Sequence, residues 1–84
     1  MTRARRTDAN HALIRTTLRQ LGWIVMDTSR LGEGFVDLVA YRAGVTHLIE
    51  VKSKRGKLTE DQQTLHAGVP VVILKTVEDC EALR

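Results

Sequence analysis

The strongest constraint on the fold is a pair of short apolar segments joined by a tight turn. The segments VDLVAY and THLIEVK begin at Val36 and Thr46, and Ala43-Gly44 lies between them. Segments rich in β-branched residues and tyrosine favour strands, and strands joined by so short a glycine turn pair as an antiparallel hairpin. The sequence therefore predicts a hairpin over these residues.

Helical and strand-like patterns flank the hairpin on both sides. Apolar residues recur at helical spacing near the N-terminus, and Thr59 followed by Gln62 is a capping box that starts a later helix. The predicted elements are helices over 8–21, 58–68 and 76–84 and strands over 23–29, 36–41, 46–52 and 70–75. The order α-β-β-β-α-β-α predicts an α/β fold, a small mixed sheet flanked by helices.

Length and composition are typical of one globular domain. The 84 residues are 43% hydrophobic, so a single domain over residues 1–84 is expected, with residues 1–7 forming a disordered basic tail. The formal charge of +3 is compatible with a polyanionic partner. One cysteine, Cys80, fits a reducing cytoplasm, and the absence of a signal peptide or membrane-length apolar run predicts a cytoplasmic location.

Charged residues occur at one end of the predicted hairpin. Side chains alternate across a strand, so Glu50 and Lys52 share a face, and pairing about Ala43-Gly44 brings Asp37 to the same patch. A register slip of one residue would separate them. Two close carboxylates suit Mg²⁺, and a neighbouring lysine suits phosphodiester hydrolysis. The alternative is a solvated sheet end with a weak ion pair.

These residues resemble the signature of the PD-(D/E)xK nucleases. The segments LRQLGWIVMDTSRLGEG, VDLVAY, LIEVK and LTEDQQTLH, in this order, are similar to the VRR-NUC (virus-type replication-repair nuclease) domains of phages and bacteria. The resemblance implies a restriction-endonuclease-like core and a Mg²⁺- or Mn²⁺-dependent DNA endonuclease, structure-selective for branched DNA. It assigns the metal to Asp37, Glu50 and the Val51 carbonyl, and catalytic support to Lys52 and Gln62.

Two positions depart from the family pattern. Val36 stands where the family has proline, and Leu13 occupies the place on the first helix where relatives often carry a metal-binding glutamate. The second departure leaves open whether one or two metals bind. It also leaves two alternatives to an active endonuclease: a catalytically weak or inactive DNA-binding module, and a subunit of a larger phage enzyme.

Further residues are candidates for binding DNA or supporting the site. Gln62 can act as a capping residue, as a site residue, or as both if its side chain moves, and Gln63 is the alternative glutamine. The three histidines and Cys80 match no zinc spacing. The residues expected to contact the DNA backbone are Ser29, Arg30, Lys54, Arg55, Lys57 and His66.

The small size of the domain predicts self-association. A chain of 84 residues builds little core, and such chains often gain stability by oligomerising. The resemblance also implies a dimer. We therefore expect a twofold homodimer whose interface uses the first helix or the apolar residues Trp23, Leu31 and Phe35.

Overall fold

The computed structural model describes residues 6–53 and 56–84. Within them the chain forms a small α/β fold of three helices and a four-stranded mixed sheet. The elements in chain order are α1 (Arg6–Gln20), β1 (Ile24–Asp27), β2 (Leu38–Arg42), β3 (Val45–Val51), α2 (Glu60–Gly68), β4 (Val71–Leu74) and α3 (Val77–Ala82). This sequence of helices and strands agrees with the predicted one, whereas the bounds differ.

The strand that was predicted to begin at Val36 and to contain Asp37 begins two residues later, at Leu38. The loop before it carries Gly32, Glu33 and Gly34 at positive φ, so the chain reaches the sheet from a bent segment. Asp37 nevertheless makes backbone bonds on both sides, because its N–H donates to Ile49 at 3.0 Å and its carbonyl accepts from Thr28 at 2.8 Å. Asp37 therefore lies immediately before the first residue of β2 rather than inside the strand.

The sheet has the strand order β1-β2-β3-β4. The pairs β1/β2 and β2/β3 are antiparallel, and β4 lies parallel to β3 after the crossover through α2. In the central hairpin Arg42 is opposite Val45, and both turn residues, Ala43 and Gly44, have positive φ. That turn geometry matches the twist of paired strands. The predicted hairpin and its register are confirmed.

The hydrophobic core lies between one face of the sheet and the helices α1 and α3. Ile14 and Leu18 are one turn apart on α1 and are fully buried against the core face of the strands. That core face contributes Val25, Leu38, Ala40, Ile49 and Val51, while Leu74 and Cys80 extend the core toward α3. The period-two pattern of the strands thus directs one set of residues to the helices and the other set to the opposite face.

Trp23 belongs to this core, so its predicted place in an exposed interface is wrong. Only 3% of the residue is exposed. The Arg42 guanidinium covers the indole ring at 4.2 Å from its centroid, and the His47 ring packs against it at 5.4 Å. Leu31 and Phe35, the other two predicted interface residues, are exposed.

Helices α2 and α3 each begin with a capping threonine, and the one at α2 is the predicted Thr59. Thr59 and Gln62 form a capping box at α2, and Thr76 and Asp79 form another at α3. Both boxes satisfy backbone N–H groups that a helix start leaves unpaired. Among the described residues no helix is long and apolar enough to cross a membrane. Most of the predicted basic tail, together with Lys54 and Arg55, lies outside the described residues.

Candidate active site

Glu50 is the centre of the candidate site and is buried. It lies near the end of β3 on the face opposite Ile49 and Val51, and only 1% of the residue is exposed. The Lys52 Nζ lies 3.8 Å from the Glu50 Oε2. The interpretation of these charges as a solvated sheet end is therefore wrong for Glu50, since a solvated carboxylate would face water.

Asp37 is fixed beside the same strand end. Its Oδ2 accepts a hydrogen bond from the Val51 N–H at 2.9 Å. Because Leu38 is paired with Ile49, Asp37 comes next to Glu50 across the two strands. The predicted convergence of Asp37, Glu50 and Lys52 at one end of the hairpin is confirmed as geometry.

Gln62 combines the two functions that the sequence presented as alternatives. Its Oε1 accepts a hydrogen bond from the Thr59 N–H at 2.9 Å, which completes the helix cap. Its Nε2 donates to the Glu50 Oε2. One amide has an acceptor and a donor end, so no side-chain movement is required. Gln63 is exposed and donates to the Leu58 carbonyl at 3.3 Å, which excludes it from this arrangement.

The protonation of Glu50 is strongly perturbed. Burial, followed by the charge of Asp37, raises the pKa of Glu50 to about 7, while Lys52 and Gln62 act in the opposite direction. The Glu50 Oε1 is buried and lacks a hydrogen-bond partner among the described residues. A buried carboxylate oxygen without a hydrogen-bond partner is energetically unfavourable. A cation at this oxygen would relieve both the missing contact and the repulsion from Asp37.

Asn10 supports the site from α1, a role that the sequence did not reveal. Its Nδ2 donates to the Lys52 carbonyl at 2.9 Å and to the Lys75 carbonyl at 3.3 Å. One side chain thus ties the ends of the parallel strands β3 and β4 to the first helix. Asn10 lies one helical turn before the buried Ile14, which is the signal that could have indicated an inward-facing amide.

Leu13, the position at which the resemblance implies a glutamate, does not join the two carboxylates. It is half exposed and lines a cleft of about 410 Å³ with Asn10, Ser53 and Lys75. Across the described residues no cluster of three or more histidine, cysteine, aspartate or glutamate side chains is arranged to hold a metal. The candidate site therefore offers two carboxylates, Asp37 and Glu50.

The predicted DNA-contact residues have different surroundings. Ser29 is exposed, but its Oγ donates to the Asp27 Oδ1 at 2.6 Å and helps to organise the end of β1. Arg30 and Lys57 are exposed, as phosphate contacts require. His66 is partly buried, and its Nε2 has no hydrogen-bond partner in the part of the chain that the structure describes.

Comparisons with known proteins give no further guide to this site. The chain matches no protein-family model, no curated protein and no solved structure. Its function must therefore be inferred from its residues and their geometry.

Proposed function

We propose that this chain is a Mg²⁺- or Mn²⁺-dependent DNA endonuclease of the PD-(D/E)xK type, similar to the VRR-NUC domains and selective for branched DNA. The observation that carries the proposal is the pairing of Asp37 with a buried Glu50 whose Oε1 is unpartnered in the described part of the chain. The α-β-β-β-α-β-α order is compatible with a restriction-endonuclease-like core.

The donor set fits a hard divalent cation. Asp37, Glu50 and the Val51 carbonyl would hold Mg²⁺ or Mn²⁺, which supplies a water of lowered pKa and offsets charge on the phosphate. Oxygen ligands with few protein carboxylates are typical for Mg²⁺, which retains several waters. The elevated pKa of Glu50 means that metal and proton compete for the same carboxylate.

Lys52 and Gln62 position the charges around the carboxylate. Both contact the Glu50 Oε2 side, and this leaves the Oε1 side for a ligand. The Lys52 ammonium can stabilise negative charge that develops on a phosphate close to Glu50. Gln62 fixes the carboxylate plane because its own amide is held at the Thr59 cap.

The contacts to DNA are assigned to the backbone of the nucleic acid. Lys57 and Arg30 are exposed cations, and the loop that follows Lys52 adds Lys54 and Arg55 in the sequence. The sequence has three aromatic residues, and Trp23 is buried, so base stacking is a poor explanation for binding. Cationic contacts of this kind position DNA without reading its sequence.

A second candidate is a DNA-binding module with weak or no catalysis, acting alone or as a subunit of a larger phage enzyme. The observation that favours this candidate is that α1 has a leucine, Leu13, where it could contribute a third carboxylate. Among the described residues the site therefore has two carboxylates. Such a module would keep the cationic surface and its affinity for DNA but would not cleave.

Titration and cleavage with one set of variants separate the two candidates. Calorimetric titration should show that Mg²⁺ or Mn²⁺ binds the wild type, and a four-way junction should be cleaved only with metal present. Asp37→Ala and Glu50→Ala should lose both properties, whereas Lys52→Ala should lose cleavage and retain metal binding. Glu81→Gln, a change at an exposed carboxylate of α3, is the matched control. Metal-dependent cleavage of wild-type level in Glu50→Ala would refute the mechanism.

A further inference from the structure

The chain immediately after β3 is not held by the regular hydrogen-bond ladder of the sheet. The Lys52 N–H donates to the Leu74 carbonyl of β4 at 3.1 Å. Bonds in a parallel ladder are evenly spaced, so the next one would run from the Thr76 N–H to the Lys52 carbonyl. The Thr76 N–H instead donates to the Asp79 carboxylate at 3.2 Å, in the capping box of α3. The Lys52 carbonyl therefore needs a donor from elsewhere in the fold.

The side chain of Asn10 takes the place of this ladder donor. Its Nδ2 donates to the Lys52 carbonyl at 2.9 Å and to the Lys75 carbonyl at 3.3 Å, so one amide binds the chain just after both parallel strands. Asn10 can reach these carbonyls because it lies one turn before the buried Ile14, on the side of α1 that packs on the sheet. The amide thus continues the hydrogen bonding of β3 by one position from another element.

The hydrogen bonds of Lys52 also determine the direction of the Val51 carbonyl. The Val51 carbonyl and the Lys52 N–H belong to one planar trans peptide unit, in which they point in opposite directions. Because the Lys52 N–H points to β4, the Val51 carbonyl points away from β4, toward the β2 side of the strand. The Val51 N–H points to that side too and donates to the Asp37 Oδ2 at 2.9 Å. The carbonyl and the Asp37 carboxylate therefore lie on the same side of the strand end.

We propose that Asn10 is a positioning residue of the candidate site, which fixes the Val51 carbonyl and the Lys52 side chain by holding the Lys52 carbonyl. The inference deepens the proposed function and rests on it for the identity of the ligand, a divalent cation. The Lys52 Nζ lies 3.8 Å from the Glu50 Oε2, so a shift of the strand end would move the ammonium and the backbone oxygen together. Groups that orient metal ligands without binding the metal typically change metal affinity about 10–100-fold.

Two substitutions of Asn10 test this role by metal titration. Asn10→Asp keeps the shape of the side chain but replaces the donating amide with a carboxylate, and Asn10→Ala removes the group. Leu13→Ala is the matched control, because Leu13 lies on the same helix and lines the same cleft as Asn10. In calorimetric titration both Asn10 variants should raise the dissociation constant of Mg²⁺ or Mn²⁺ about 10–100-fold, and Leu13→Ala should match the wild type. An unchanged dissociation constant in a folded Asn10→Asp would overturn the proposal.

Amide hydrogen exchange of the metal-free protein separates positioning from general destabilisation. Exchange at the Lys52 N–H should be about fivefold faster in both Asn10 variants, the equivalent of about one hydrogen bond, while the amides of β2 exchange as in the wild type. Equal acceleration throughout the sheet, or none at Lys52, would overturn the positioning role. A wild type that binds no metal would refute the proposed function instead, because the exchange measurement does not depend on metal.

Discussion

Replacing Glu50 with glutamine should make the protein more stable above neutral pH while it removes metal binding. Glu50 is buried next to Asp37, and these two causes raise the pKa of Glu50 from 4.5 to about 7. Each factor of ten in proton affinity corresponds to about 1.4 kcal/mol, so ionising Glu50 in the folded chain costs about 3 kcal/mol more than in the unfolded chain. Glutamine has nearly the same shape and avoids this cost.

The difference in stability between the wild type and Glu50→Gln depends on pH. The folded protein binds the Glu50 proton more tightly than the unfolded chain does. The contribution of this proton to the free energy of unfolding is therefore fully present below pH 4.5 and is lost as the pH rises to about 7. Below pH 4.5 the wild type and Glu50→Gln should therefore differ little. At pH 8 the variant should be more stable by about 2–3 kcal/mol in the absence of metal.

Urea denaturation at pH 4.5, 6 and 8 with chelator present measures this difference. Glu81→Gln removes a carboxylate at an exposed position and should show no such trend. Addition of Mg²⁺ should then stabilise the wild type and not Glu50→Gln, because a ligand stabilises only the state that binds it. A variant that is less stable than the wild type at pH 8, or a difference that does not change with pH, would refute the argument.

Other parts of the molecule give three further predictions. In urea denaturation, Gly34→Ala should be less stable than Gly32→Ala by about 1–3 kcal/mol. Both glycines have positive φ, but only a Cβ at Gly34 would lie 2.6 Å from the Asp61 Cβ. Equal destabilisation of the two variants would contradict this packing. Burial, followed by the charge of Asp79, raises the pKa of the Cys80 thiol to about 11. A thiol reagent at pH 8 should therefore react with Cys80 only in denaturant. Rapid labelling of the native protein would contradict the burial of this thiol. Neutralising Lys54, Arg55 and Lys57 together should reduce the slope of log affinity for DNA against log salt concentration by about one for each phosphate that is no longer neutralised. This reduction should be larger than the one that Lys52→Ala causes. An unchanged slope would place this loop outside the DNA interface.

Features determined by neighbouring residues could be predicted from the sequence. The hairpin turn at Ala43-Gly44 fixes the register, and the register brings Asp37 to Glu50. The capping box of Thr59 and Gln62 fixes the start of α2 within one turn. In both cases the interacting residues are close in the chain or are linked by a tight turn, so periodicity and spacing contain the necessary information.

Features that depend on distant packing could not be predicted. Asn10 contacts the Lys52 carbonyl across 42 positions of the chain, and no local pattern specifies that contact. The sequence predicts Trp23 at an interface, but Arg42 and His47 cover its ring within the folded chain. The hydrogen bond from Gln62 to Glu50 likewise depends on how α2 lies against the sheet. Each of these outcomes requires the three-dimensional arrangement of at least two elements.

Helix α2 links the stability of the fold to the state of the candidate site. It has no buried residue, so apolar packing contributes little to its position. In the described part of the chain, α2 contacts the rest of the fold where Gln62 donates a hydrogen bond to Glu50 and where Asp61 lies against Gly34, in the loop that leads to Asp37. Both contacts lead to the two carboxylates of the site. Because Gln62 binds the same carboxylate that the proposed cation would bind, cation binding at Glu50 and docking of α2 would be thermodynamically coupled. Each would then affect the other by the same free energy. Weak apolar packing favours local opening of α2, so this coupling would act on an element that opens more easily than the packed core.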